Sequence, residues 1–382
     1  MSRVAERPTG RRVANYSPPS SARKRAAAKP LTGNPLLRPS GEARVVWFRS
    51  LATMVTAGIN LDRALRLLAQ QSEDKAMTQV SEGLADMVSA GMQLSSAMAL
   101  YPNSFAKLQY RLVQMGERAG VMDKVLNELS FYEEKERNTL LKVKSALTYP
   151  AFIFAVAFLI LVIVPPYMME GLFQMIKGSG VKPPLITRIV MVGTNATRSP
   201  IFYFLLVAGG AAGWILLPPL LRKPAVKKRL ARFILSLPVA GKVYRTLSVA
   251  RFTRALAVQL DCGISPLHAI QLSADATDNP VLDETIERAI DGLREGGTVA
   301  ESLEAAEFFP RLMIKMVQVG EESASLPDLL TRTAEMYESD LDAILDAFTA
   351  LLEPMVMVVM GFIVGVLVLA SMLPMMQVLQ NL

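Results

Sequence analysis

Few residues in this chain could do chemistry, and their spacing argues against it. Cys262 and His268 are the sole cysteine and histidine among 382 residues, so no disulfide can close within the chain and no Cys/His set can hold zinc. His268 stands beside Leu267 and Ile270 on a helical face and reads as a core or surface histidine rather than a general base. No G-x-x-x-x-G-K-[ST] is present to cradle a phosphate, and Gly178-Ser-Gly180 reads as a turn. The acidic positions that attract notice come as a pair, QMGERAG at Gln114–Gly120 and QVGEESA at Gln318–Ala324. Gly116 and Gly320 can end a helix, with Glu117 and Glu321 favouring the positive N-terminus of the next one. The alternative is a shared acidic position facing a partner or a second subunit. Gly361-Phe-Ile-Val-Gly365 has the spacing that lets two membrane helices approach closely. No enzyme, cofactor or metal is expected from these residues.

The elements that position them are long apolar runs. Lys142 and Lys144 precede Tyr149-Pro150, and about nineteen uncharged residues separate Pro150 from Glu170. At about 1.5 Å each these just cover a hydrocarbon core of about 30 Å. A lysine reaches headgroups from such a position, and a tyrosine ring suits the interface. Pro150 can start a helix, but inside a continuous one it opens a kink. The plan is written again as FTALLEP followed by MVMVVMGFIVGVLVLASMLPMM, with Glu353 capping the mouth of that run and Pro354 at the junction. Between the two lies IFYFLLVAGGAAGWILLPPLL, Ile201 to Leu221. None of the three spans carries an ionisable group at depth, which counts against a small helical transporter or channel, the alternative reading.

Charge placement sets the orientation. Hydrophobic residues make up 51% of the chain and mean hydropathy is +0.31, values that lean toward a membrane protein. The net charge is +7, from 41 Lys+Arg and 34 Asp+Glu. Twenty-two of those cations precede Pro150, 4 fall between Glu170 and Pro200, 15 between Arg222 and Arg332, and none follow Pro354. Positive loops stay inside, which puts the N-terminus and residues 222–353 in the cytoplasm and the C-terminus outside. Nucleic acid is not the expected partner, because the cations flank spans and no aromatic-rich basic face accompanies them.

Residues 1–42 are a basic tail, RPTGRRVANYSPPSSARKRAAAKP within it, too polar to offset its ordering entropy. No apolar h-region follows these charges as in a cleaved signal peptide. From Ala43 to Ser145 the apolar residues recur at helical spacing: Trp47, Leu51, Met54 and Val55 before Gly58; Leu61, Ala64, Leu65 and Leu68 after Asn60; Val80, Leu84, Met87 and Val88 before Gly91. A short helix over Leu94–Leu100, another over Ser104–Met115 and a long one from about Val121 complete a compact bundle of six. Trp47, Arg49, Leu51, Gly58 and Ile59 recur as Phe252, Arg254, Leu256, Gly263 and Ile264, and Phe105, Gly116, Glu117 and Pro150 as Phe309, Gly320, Glu321 and Pro354. A period of about 204 residues means two copies of a domain. The expected organisation is an all-α membrane protein: tail 1–42, cytoplasmic bundle 43–148, span 149–170, periplasmic loop 171–199, span 200–221, cytoplasmic bundle 222–352, span 353–376 and periplasmic tail 377–382.

With Lys144-Ser-Ala-Leu-Thr-Tyr-Pro150, both Gly-Glu pairs, Phe252-Thr-Arg254-Ala-Leu256 with Gly263, and Leu352-Glu-Pro354 in view, the chain resembles the inner-membrane platform protein shared by type II secretion systems and type IV pili, the F-domain family. The likeness covers about residues 45–380. It departs where the second copy has Ser-Ala for Ala-Gly after the glutamate, and where its lead-in to the membrane lacks the tyrosine and lysines. The resemblance implies a non-enzymatic scaffold in the bacterial inner membrane, with two cytoplasmic six-helix bundles and a homo-oligomeric state. Its implied partners are a cytoplasmic assembly or secretion ATPase, pilin-like or pseudopilin subunits, other inner-membrane assembly proteins and the lipid bilayer.

Overall fold

The computed structural model describes residues 34–168, 171, 174, 184–205, 208–210 and 223–380. The basic tail expected over 1–42 therefore lies largely outside the described residues. So do the greater part of the 171–184 connection, the second half of the span expected at 200–221, and residues 381–382.

The first set of helices is α1 (Gly41–Thr56), α2 (Leu61–Gln71), α3 (Lys75–Ser89), α4 (Leu94–Met98), α5 (Lys107–Ala119) and α6 (Met122–Met168). The first three start where the sequence supplies a side-chain acceptor. Ser40 accepts from the Ala43 amide, Asn60 from Asp62, and Asp74 from Ala76 and Met77, replacing intrahelical partners that a first turn lacks. Gly58, after α1, takes φ +78°, a left-handed conformation that costs a glycine nothing. The inward stripes meet in one core that includes Phe48, Leu51, Leu65, Leu84, Phe105, Leu112 and Leu126. Trp47 lies at its centre, edge-on to Phe48 at 4.9 Å, with its indole N–H donated to Ser81 Oγ at 2.9 Å, so the buried ring leaves no polar atom unpaired.

Two boundaries differ from expectation. Ser104 and Phe105 belong to a turn, their amides bonded back to Tyr101 O, so α5 begins at Lys107 rather than Ser104. The same helix runs past Gly116 to a left-handed cap at Gly120. Gly116 does not end it.

After α6 come α7 (Leu185–Arg198) and a shorter apolar helix at Pro200–Gly210. The second set follows: α8 (Pro224–Ser236), α9 (Ala240–Asp261), α10 (Pro266–Thr277), α11 (Pro280–Arg294), α12 (Val299–Ala305), α13 (Arg311–Glu322) and α14 (Leu326–Gln380). Helices α9–α14 repeat α1–α6 in order, and α8 is an addition packed on α9 and α11. The repeat reaches side chains. Asn279 caps α11 as Asp74 caps α3, Gly263 follows α9 at φ +80°, and Phe252 meets Phe309 at 4.6 Å as Trp47 meets Phe105 at 5.2 Å. No strand occurs among the described residues.

α6 and α14 are the two described helices long and apolar enough to cross a membrane. At 47 and 55 residues they extend about 70 and 80 Å, so each is long enough to be first the last helix of its bundle and then an apolar segment of membrane-crossing length. Helix α7 corrects the reading of 171–199 as a loop. Its stripe of Thr187, Val190, Met191 and Thr194 packs on α14, where the Thr187 hydroxyl donates to Ala370 O at 3.0 Å, and α7 also touches α6. Apolar spacing at Ile186, Ile189, Val190 and Val192 makes such a helix possible, and the two arginines in it obscured that pattern.

Candidate functional site

The repeated Gly-Glu pairs resolve into a local device. On α5, a Cβ added at Gly116 would stand 3.1 Å from Val125 Cβ and 3.4 Å from Met122 Cα; on α13, one at Gly320 would stand 3.0 Å from Leu326 Cα. Each glycine is thus the point where the fifth helix of a copy crosses the start of the sixth. The neighbouring glutamates reach the short fourth helix behind them, not the one ahead. Glu321 accepts from the Val299 and Ala300 amides at 2.6 and 2.8 Å. Glu117 accepts from the Ser95 amide at 3.3 Å and from the Ser95 hydroxyl. A carboxylate on a helix N-terminus meets orphan amides and the positive end of the dipole together. Ala324, which replaces Gly120 in the second copy, holds φ +53°, a conformation that an L side chain adopts at some cost.

The sequence gives no sign of the seam between the copies. Helices α5 and α6 lie against α9, α10 and α14, and ion pairs cross from one copy to the other. Lys107 meets Asp275 at 2.8 Å, Lys124 meets Asp261 at 3.0 Å, Lys135 meets Glu338 at 3.9 Å, Lys142 meets Asp342, and Glu136 meets Arg251. Arg254, buried, joins Glu338 at 2.9 Å with its guanidinium 5.6 Å above the Phe131 ring. Arg49, its counterpart in the first copy, pairs with the corresponding Glu134 but in the open. Burial raises the carboxyl pKa of Glu136 against the opposing pull of Arg251. It raises that of Glu133 as well, where Arg44 and Gln109 oppose it.

Toward their apolar ends α6 and α14 lie against each other. Pro150 is buried within α6, and Pro354 is exposed within α14. Both helices continue through their prolines without a linker. Tyr149, half exposed, lines a cleft of about 820 Å³ between α6 and α14 with Lys142, Asp342, Asp346 and Thr349. Lys144 is exposed and its carbonyl accepts from the Thr148 hydroxyl at 2.8 Å. Lys142, expected near the headgroups, pairs with Asp342 while remaining exposed. The Glu353 backbone is helical. A Cβ added at Gly361 or Gly365 would meet no atom within 4 Å, so this pair packs no helix of its own chain among the described residues. The structure does not gather the sequence-selected residues into one site: the Gly-Glu pairs sit inside their own bundles, while Lys144, Tyr149 and the prolines mark the junctions.

Among the described residues no cluster of His, Cys, Asp and Glu could hold a metal. Cys262 is free, and burial lifts its thiol pKa to about 12, with the carboxylates Glu128 and Asp261 adding to the shift, so the reactive thiolate is suppressed.

Comparison with known proteins matches this duplicated architecture. The family profile for type II secretion system protein F fits residues 47–169 and again residues 252–374. The type IV pilus assembly protein TapC of Aeromonas hydrophila is 30% identical over 85% of this chain and 79% of its own length. The type IV pilus assembly protein PilC of Thermus thermophilus is 32% identical over 88% of this chain and 82% of its own. The type II secretion system protein F of Pseudomonas aeruginosa is 31% identical over 85% and 80%.

Proposed function

This chain belongs to the type II secretion system protein F family and serves in secretion or type IV pilus assembly, and we propose that it is the non-enzymatic inner-membrane platform of such a machine. In this reading both bundles and the N-terminus lie in the cytoplasm, three spans cross the membrane, and the C-terminus is periplasmic. A separate cytoplasmic ATPase supplies energy, and the platform converts its action into delivery of pilin-like subunits from the membrane to a fibre. The observation that carries the reading is the continuity of α6 and α14, each of which is bundle helix at one end and apolar segment at the other. A push on a bundle then moves its span as one body, because no flexible linker absorbs it.

The test is complementation in the host. Removing the chain should abolish the fibre or the secreted product. Restoring it should recover both, and the assembly ATPase should co-purify with the full chain but not with a chain lacking its bundles. Recovery by a chain truncated to its spans would overturn the platform reading.

A further inference from the structure

Between α5 of the first copy and α10 of the second lies a cleft of about 520 Å³ that none of the roles above uses. Its walls carry Lys107, Arg111 and Arg118 from α5 and His268 from α10, and no lining residue is an aspartate or glutamate. Lys107 is answered at the rim by Asp275. Arg111 has only the neutral Gln114 side-chain oxygen, at 3.0 Å, and neither it nor Arg118 has an ion pair among the described residues. The Ser265 hydroxyl is engaged with His268 Nδ1 at 2.9 Å, so the start of α10 has no side-chain cap, whereas Asn60 caps α2 in the first copy. The floor is apolar: Met115, Ile264 and Leu272.

Spacing identifies what such a cleft recognises. Positions 107, 111 and 118 share one face of α5 and span about 16 Å along it, too far for a single phosphate or a short phosphate chain to reach all three. The cleft also stands at the end of the molecule away from lipid. Lys124, paired with Asp261 beside it, precedes Pro150 by 26 residues of unbroken helix, about 39 Å. Lipid headgroup charge is screened within about 10 Å at ordinary salt. We propose that this cleft is a docking seat for an acidic amphipathic peptide segment of a cytoplasmic protein, with carboxylates on Arg111 and Arg118 and one apolar side chain on Met115, Ile264 and Leu272. Because one wall belongs to each copy, an occupant bridges the two bundles and fixes their relation. The inference relies on the proposed function only for placing the cleft in the cytoplasm.

The test uses the full chain in nanodiscs of zwitterionic lipid. The probe is a fluorescent helical peptide of about 16 residues with one central leucine and glutamates at the matching spacing, beside the same peptide with glutamines. The glutamate peptide should bind about tenfold tighter than the glutamine one, more weakly as salt rises. Arg111→Glu with Arg118→Glu should cost about tenfold, and a lysine version of the peptide should regain binding on that variant, a reversal that a folding defect would not produce. Arg118→Gln alone should cost about threefold with an unchanged melting curve. Equal binding of the glutamate and glutamine peptides, or undiminished binding to the double variant, would overturn the proposal. Displacement of the peptide by an equal concentration of tripolyphosphate would overturn it in favour of a phosphoanion site. Failure here leaves membrane topology and complementation untouched, so the platform reading stands or falls separately.

Discussion

Glu321 separates two accounts of a residue that the sequence could only mark as repeated. As the acceptor for Val299 and Ala300 amides it holds the N-terminus of α12. Glu321→Ala should cost about 1–2 kcal/mol, and Glu321→Gln, which keeps an acceptor oxygen, about half of that. Thermal unfolding of the full chain in detergent reads both. A partner-facing glutamate would instead leave stability unchanged and lose only assembly. The Asn60 cap and the inward stripes were legible in the sequence because they depend on residues within one or two turns of each other. Gly116 was legible as special but not as a crossing point, since Val125, the residue that needs its missing side chain, approaches only once α6 has folded back on α5. Asp283 provides a pH test. Burial, reinforced by Asp275 and Asp278 and opposed by Lys227, lifts its pKa to about 6. A folded-state pKa above the unfolded value means the native state prefers the protonated acid. Its favourable contribution is therefore full below the ordinary carboxylate range near pH 4 and is lost as pH rises through about 6. Asp283→Asn should raise the melting temperature at pH 7–8 by a few degrees, with the gain fading below pH 5; a constant gain at every pH would remove the titration as its cause.

Among elements, the two long helices were the most legible and the seam the least. Nineteen or more uncharged residues in a row announce a candidate span from composition alone, with flanking lysines in the first case only. The pairing of Lys124 with Asp261 or Lys142 with Asp342 depends on how two separately folded bundles meet, and no local period encodes it. Helix α7 was hidden for a related reason: its apolar face has meaning only against α14 and α6. On the proposed function, the continuous helices would hand a bundle's motion to its span at Pro150 and Pro354. Proline removes one backbone hydrogen bond and crowds the preceding turn, giving a set bend rather than a loose joint. Pro150→Ala should straighten the junction and Pro150→Gly should loosen it, with glycine the more harmful because it also costs about 1 kcal/mol of helix. Fibre or product yield at equal protein level reads the effect. Normal assembly with both substitutions at both prolines would leave the spans as passive anchors.

Taken whole, the molecule is two copies of one plan joined through an ionic seam, and the proposed sidedness of its parts rests on charge. Fifteen cations in the second half precede its last apolar run and none follow it. That asymmetry requires an odd number of crossings between the first bundle and the C-terminus if the N-terminus is inside. The expected orientation rests on lysine and arginine resisting translocation wherever they fold, and the expected middle crossing rests on the apolar run at 201–221. The direct test of the platform account is a topology reporter fused at Arg222 and, separately, after Leu382, in the otherwise intact chain. The account predicts a cytoplasmic signal at Arg222 and a periplasmic one after Leu382. A periplasmic signal at Arg222 with a cytoplasmic C-terminus would place the second bundle on the wrong side of the membrane for any cytoplasmic motor and would contradict it.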